Sequence, residues 1–208
     1  MPHECDAGGL TPGGVMGDVP PLVMRAFEAA DELGMPRTQD GTGPSCCLPG
    51  VGRFLAVLAA GCVGGRIGEL GTGVGVGAAW MASAMPADCE LVTVELDPVR
   101  AAAARKVLAD DARVEVIRGD AFDELARRAP FDLVFADGGQ SARAVELLRI
   151  GGRLVVDDVT PVEALPADSP YRTNDPKRGF FFTDSRLVAT EVVLPDLRNS
   201  LLVGTRVR

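Results

Sequence analysis

From Arg66 onward the chain alternates between two hydrophobic periods. Short β-branched runs at 66–70, 91–95, 114–117, 131–136 and 153–156 predict strands, and the segments between them, 75–85, 98–108, 121–128 and 141–148, place apolar residues at helical spacing. Strands that read as near-continuous apolar runs are buried on both faces, so the pattern predicts an α/β fold with helices covering both sides of a parallel sheet. After Asp158 the rhythm breaks. A connector carrying Pro161, Pro166, Pro170 and Pro176 leads to two final runs, 187–194 and 201–207, too close together for a crossover helix and therefore expected to pair antiparallel as a hairpin. Ahead of the sheet, Pro20-Pro21 opens an amphipathic helix (Leu22, Val23, Ala26, Phe27, Ala30, Leu33) that Gly34 and Pro36 end. A Gly/Pro-rich connector, 35–50, then precedes an apolar helix at 51–60. Residues 1–18 lack periodicity and read as a flexible tail. The expected organisation is one domain, 19–208, divided into a helical extension, 19–62, and a core, 66–208.

Composition narrows what such a domain can do. At 208 residues, 47% hydrophobic and 24% charged, the chain suffices for one core. A net charge of −8 and a pI near 4.7 repel a phosphate backbone, and no basic stripe is interleaved with aromatics, so nucleic acid is not an expected partner. The longest strongly apolar stretch, 54–63, is about half of what a membrane span requires. Met1 is not followed by the basic segment and apolar core of a signal peptide, so a soluble cytoplasmic protein is expected. Cys5, Cys46, Cys47, Cys62 and Cys89 include no C-x-x-C pair and His3 is the single histidine, which supports neither a disulfide framework nor a zinc site. Cys46-Cys47 reads as small apolar filling rather than a redox pair.

Chemistry concentrates at the predicted strand ends. The first strand runs into Glu69-Leu70-Gly71-Thr72-Gly73-Val74-Gly75-Val76-Gly77, where glycines permit positive φ and let a ligand lie against bare main chain. The next four strands end in Glu95-Leu96-Asp97, Gly119-Asp120-Ala121, Asp137-Gly138-Gly139 and Asp157-Asp158. Ligands of open parallel sheets lie at that edge. A pyrophosphate wants N–H groups or a cation there, whereas a row of carboxylates suits hydroxyls, amines and positive charge. S-adenosylmethionine offers all three: Glu95 can accept from its ribose hydroxyls and Asp120 from its adenine amine, and its ammonium and sulfonium groups favour an acidic rim.

Here a family resemblance becomes visible. Glu69-Leu70-Gly71-Thr72-Gly73, Val94-Glu95-Leu96-Asp97, Arg118-Gly119-Asp120-Ala121, Phe131-Asp132-Leu133-Val134-Phe135-Ala136-Asp137 and Leu148-Arg149-Ile150-Gly151-Gly152-Arg153-Leu154-Val155-Val156-Asp157-Asp158 resemble, in order and spacing, the motifs of class I S-adenosylmethionine-dependent methyltransferases. Within that class they are most similar to the catechol O-methyltransferase-like small-molecule O-methyltransferases, from about Cys47 to the last residue. The resemblance implies a three-layer Rossmann-like fold with a seven-stranded, mostly parallel sheet closed by a C-terminal antiparallel hairpin. It also implies methyl transfer to a small-molecule hydroxyl. Glu69, Gly71, Thr72, Gly73 and Cys47 would then border the methionine part of the cofactor, Glu95 and Leu96 the ribose, Asp120 and Ala121 the adenine, and Asp137 the sulfonium. In relatives, added N-terminal helices shape the substrate pocket or a dimer interface, which makes a homodimer the expected assembly.

The departures bear on the reaction. Metal-dependent relatives hold Mg²⁺ or another divalent cation through groups matching Asp137, Asp157 and Asp158, the last usually asparagine. The competing metal-free reading has Asp157 and Asp158 cap and orient the loop. The family's lysine three positions after the first aspartate is Gln140 here, which cannot act as a base. Proton removal then falls to Asp137, Asp157 or Lys177, with Tyr171 a further candidate. The connector 171–182 combines cations with aromatics and suits an aromatic or carboxylate-bearing acceptor, although Phe180 to Phe182 read more simply as a helix packed on the sheet. Two alternatives remain. An NAD(P)-dependent reductase is suggested by Gly73-Val74-Gly75-Val76-Gly77-Ala78 with Glu95 about 20 residues on, but Tyr171 has Asp175 where such enzymes need lysine. A non-catalytic S-adenosylmethionine-binding protein is suggested by Gln140.

Overall fold

The computed structural model describes residues 19–35, 46–136, 141–194 and 199–208. The apolar runs after Arg66 become β1 (Arg66–Leu70), β2 (Glu90–Glu95), β3 (Val114–Arg118), β4 (Phe131–Ala136) and β5 (Leu148–Val159), all paired parallel. The closing runs form β6 (Leu187–Val193) and β7 (Ser200–Arg206), an antiparallel hairpin whose second strand pairs antiparallel with β5. The sheet order is β3-β2-β1-β4-β5-β7-β6. The chain walks outward from β1 to β3 and returns on the other side at β4, so strand order reverses between β1 and β4, where a ligand crevice opens in such sheets.

Helices cover both faces, as the doubly apolar strands require. On one face lie α1 (Pro21–Glu32), α2 (Pro49–Ala60), α3 (Val76–Ala82) and α4 (Pro98–Leu108), which bury Phe27, Leu55, Trp80 and Leu108 over Ile67, Leu91, Leu133 and Phe135. On the other, α5 (Ala121–Ala126), α6 (Ser141–Ala144) and α7 (Pro176–Thr183) pack Leu125, Ala144 and Phe181 against Val94, Val134, Ala136 and Val156. Alternate residues of β4 thus serve opposite layers, the two-residue period of a strand made visible. Prolines open α1, α2, α4 and α7, while Asp97, Asp120 and Asp175 cap α4, α5 and α7 by accepting backbone N–H bonds.

Several sequence-derived boundaries shift. The helix expected at 75–85 ends at Ala82, and that expected at 121–128 ends at Ala126, each short of a proline, Pro86 and Pro130, that the helix could not continue through. The helix expected at 141–148 is one α turn followed by a 3₁₀ turn, Val145–Leu147, and β5 begins at Leu148 rather than Arg153. Two glycines explain the early strand. Gly151 has φ +82°, and a Cβ on Gly152 would lie 2.8 Å from the Phe131 carbonyl oxygen, so the β4 register can jump from Phe131↔Leu148 to Leu133↔Arg153. Of the three phenylalanines, Phe181 is buried and stacks edge-on with Phe180, while Phe182 is exposed. Among the described residues no helix is long and apolar enough to cross a membrane.

Candidate functional site

The loop after β1 is shaped by its glycines. Gly71, Gly73 and Gly75 have φ of +92°, +55° and +96°, a region that L side chains rarely enter, and α3 starts directly from Gly75. Four of its amides are already engaged: Gly71 and Thr72 donate to the Val94 carbonyl at 3.0 and 3.2 Å, Gly73 donates to Glu95 Oε2 at 2.8 Å, and Gly75 donates to the Thr72 carbonyl at 2.9 Å. Those four N–H groups, spent on the neighbouring strand and on the loop itself, are not available to a pyrophosphate.

Two buried carboxylates stand on either side of it. Glu69, 1% exposed on β1, accepts the Thr93 hydroxyl from its register partner on β2, and Thr93 Oγ1 in turn lies against Thr72 Oγ1. Since the Thr93 proton goes to Glu69, Thr72 is the donor of the second bond, and the three groups form one directed chain. Gly77 makes room for it, because a Cβ there would collide with Glu69 Oε1. Glu95 ends β2 and is 5% exposed; besides Gly73 it accepts from the Asp97 N–H at 2.9 Å and from Arg100 Nη2 at 2.8 Å. Three donors on about four acceptor positions hold that carboxylate rigidly and leave room for about one more. The Glu95 bond also raises the Arg100 guanidinium above its ordinary value.

A narrow cleft of about 20 Å³ runs along the loop, bordered by Glu69, Gly71, Thr72, Gly73 and Gly77 together with Met35, Cys46, Cys47 and Phe135. Cys47 thus sits beside the glycine loop although it precedes it by more than twenty residues. The remaining predicted residues are more dispersed. Leu96 is 71% exposed; Asp120 is exposed and accepts from the Asp123 N–H at 3.0 Å; Ala121 is half-buried against the second core layer. Asp120 follows β3 two residues beyond Arg118, the register partner of Glu95, so adjacent strands deliver these carboxylates to the same edge.

At the end of β5, Asp157 is 5% exposed and burial pushes its carboxyl above the usual carboxylate value. Its Oδ1 accepts from the Asp158 N–H at 2.8 Å and from Asn199 Nδ2 at 2.9 Å. Asp158 is exposed and has φ +59°, the one non-glycine residue with positive φ among those described. Lys177 reaches this turn from α7, and its Nζ donates to the carbonyl oxygens of Asp157 and Asp158 at 2.9 and 3.0 Å. Tyr171 is 54% exposed on a 3₁₀ turn. The neighbouring cations are taken up structurally: Arg172 donates to the carbonyls of Val162 and Leu165, and Arg178 pairs with Asp175 and Glu191. Asp137 and Gln140 lie outside the described residues, as does the 1–18 segment.

Sequence reasoning did not find Thr93, Arg100, Met35, Phe135 or Asn199. A polar Thr93 inside an otherwise apolar strand was the available signal for the first. The others acquire meaning only through contacts made by folding.

Comparison with known proteins agrees with this geometry. A family model described as a methyltransferase domain matches residues 69–159, from the first buried carboxylate to the end of β5. A catechol O-methyltransferase of Mycobacterium tuberculosis is 33% identical over 182 residues, covering 81% of this chain and 78% of that protein. A Mycobacterium bovis protein described as an O-methyltransferase is 36% identical over 126 residues, 55% of this chain; the chain spans 56%, about half, of that relative's length. Among solved structures, the O-methyltransferase TomG of Streptomyces achromogenes, determined in complex with SAM, superposes with a TM-score of 0.70 at 25% identity, covering 93% of each chain. With the fold, the motif order and a relative matched over most of its length in agreement, the chain belongs to the class I, catechol O-methyltransferase-like family of small-molecule O-methyltransferases.

Proposed function

We propose that this protein transfers the methyl group of S-adenosylmethionine to a hydroxyl of a small molecule. The observation that carries the reading is the pair of buried carboxylates, Glu69 and Glu95, around a glycine loop in which the amides of Gly71, Thr72, Gly73 and Gly75 are already occupied. Such a site repels pyrophosphate and welcomes hydroxyls and cationic groups. In this reading Glu69, Gly71, Thr72, Gly73 and Cys47 enclose the methionine part, and Asp137 faces the sulfonium. Glu95 takes a ribose hydroxyl on its remaining acceptor position, with Leu96 beside it, and Asp120 and Ala121 border the adenine.

Methyl transfer is an in-line displacement at sulfur, so the protein aligns the acceptor oxygen and takes up its proton. Gln140 cannot take it. We assign that task to the strand-five end, where Asp157 supplies the carboxylate and Lys177 keeps the 157–158 turn in place through its two carbonyl bonds. A divalent cation fits this donor set: Asp157 offers a carboxylate, Asp158 follows it directly in the chain, and the neighbouring Asn199 Oδ1 is buried without a hydrogen-bond partner. When bound, such an ion would acidify the acceptor hydroxyl. Among the described residues no three carboxylates, thiols or imidazoles converge, so the predicted trio depends on Asp137. An aromatic or carboxylate-bearing acceptor remains our expectation, as do a homodimer and cytoplasmic residence. Exposed Val57 on α2 and Val63 just after it support the dimer, and sedimentation at micromolar concentration tests it.

Calorimetry with S-adenosylhomocysteine, alongside methyl transfer from labelled cofactor to a panel of catechols, phenols and carboxylic acids with and without Mg²⁺, tests the function. Glu95→Ala removes a charge-assisted bond worth about 1.5–3 kcal/mol and should weaken cofactor binding roughly 10- to 100-fold. Binding of NAD(H) in place of S-adenosylhomocysteine would overturn the reading, and cofactor binding without turnover on any acceptor would leave a binding protein.

A further inference from the structure

Asn199 is a buried polar side chain that the fold only half satisfies. It lies at the start of β7, is 1% exposed, and comes within hydrogen-bond distance of a residue 42 positions away on a different strand. Its Nδ2 donates to Asp157 Oδ1 at 2.9 Å, while its own Oδ1 is buried with no hydrogen-bond partner. A carboxylate accepts and cannot donate, so the amide must turn its nitrogen toward Asp157, which fixes where the oxygen points. A buried amide oxygen left bare forfeits its hydration with nothing in return, and such groups are rare in folded proteins unless a ligand completes them. The same contact, together with the Asp158 N–H, engages Asp157 Oδ1 twice and leaves the ligand-facing capacity of that carboxylate on Oδ2.

We propose that Asn199 Oδ1 is a neutral oxygen ligand for a hard divalent cation shared with Asp157, so that the closing hairpin completes the cation site. The inference rests on the metal-assisted form of the function proposed above. Hard cations such as Mg²⁺ and Mn²⁺ take carboxylate and amide oxygens together, and a neutral amide supplies a ligand without adding to the negative charge of Asp157 and Asp158.

The test is titration of the full chain with Mn²⁺, followed by the electron paramagnetic resonance of the free ion, with and without S-adenosylhomocysteine. Wild type should take up one Mn²⁺ at the site, Asn199→Ala should bind it at least tenfold more weakly, and Asn199→Asp, which restores an oxygen, should recover most of the affinity. Asn199→Ser serves if the alanine variant misfolds, and circular dichroism reports folding for each. Equal Mn²⁺ affinity in all variants overturns the proposal. So does an aspartate variant as weak as alanine, because the amino group that orients Asp157 would then be the working part. Wild type that binds S-adenosylhomocysteine but no Mn²⁺ overturns it too, with the methyltransferase reading intact. Mn²⁺ uptake lost in Asn199→Ala and restored in Asn199→Asp, in a chain that does not bind S-adenosylhomocysteine, sustains the site and sinks the methyltransferase reading.

Discussion

A Cβ at Gly77 would collide with Glu69 Oε1 and press on the Phe135 ring at 3.4 Å, so Gly77→Ala has to push a buried carboxylate out of its bond with Thr93. Overpacking of this kind costs about 1–3 kcal/mol, and the displaced Glu69 should lower S-adenosylhomocysteine affinity tenfold or more. Unchanged calorimetry for that variant would remove Glu69 from the cofactor site. Cys47 offers a second check. It borders the same cleft, whereas burial pushes the Cys62 thiol up and takes Cys89 to about 11. Thiolates are the reactive form, so iodoacetamide at neutral pH should modify Cys47 ahead of Cys62 and Cys89, and saturating S-adenosylhomocysteine should protect it. Mass spectrometry showing equal Cys47 labelling with and without the cofactor product would place it outside the methionine end. Glu69 and Glu95 were legible in the sequence because each closes an apolar run next to a turn. Arg100 was not, because its role depends on the first turn of α4 folding back onto the end of β2.

Between elements, α7 is tied to the hairpin by one guanidinium. Arg178 bonds to Asp175, to both Glu191 oxygens and to the Thr160 carbonyl, and its partners are themselves mostly buried. Truncation to alanine leaves two screened carboxylates without their cation, for which about 3 kcal/mol of destabilisation is expected. Urea denaturation measures it, and a loss below 1 kcal/mol would mean that the network is not holding α7 in place. The turn from α7 into β6 carries the pH dependence. Three hydrogen-bonding contacts from the Arg186 guanidinium and one from its N–H hold the Asp184 carboxyl down at about 2 against an ordinary 3.8. A carboxyl depressed in the folded state stabilises it fully above the unfolded value and loses that contribution as pH falls from about 4 through about 2. The difference in melting temperature between wild type and Asp184→Asn should therefore shrink as pH is lowered from 6 to 3; a constant gap would show that the pair contributes through shape alone. Strand β5 shows where element-level reading stops. Its apolar core, 153–156, announced itself, but the earlier half depends on Gly151-Gly152 fitting beneath the Phe131 carbonyl, a contact that no local pattern encodes.

At the scale of the whole molecule, a ligand that binds only the folded chain stabilises it by mass action. S-adenosylhomocysteine at 100 times its dissociation constant should add about 2.7 kcal/mol, or roughly 5–10 °C in melting temperature for a domain of this size. NAD(H) at the same concentration should add nothing. A shift with NAD(H) and none with S-adenosylhomocysteine would contradict the cofactor assignment. The sheet order makes this coupling global, since the cleft lies where β1 and β4 diverge and both helical layers hold those strands in place.

The alternation of strand and helix, the closing hairpin, and the acidic and glycine-rich strand ends were determined by the sequence alone, because side-chain period, β-branching and turn chemistry act over a few neighbouring residues. Strand adjacency was decided only in three dimensions: β7 enters between β5 and β6, and that insertion brings Asn199 onto Asp157. The glycine loop changed meaning for the same reason. In sequence it read as bare main chain for a ligand to lie against; in the fold β2 lies beside it and takes up the amides of Gly71, Thr72 and Gly73 through the Val94 carbonyl and the Glu95 carboxylate. Pairings across the sheet are set by packing of the whole chain, so no local stretch of residues carries them.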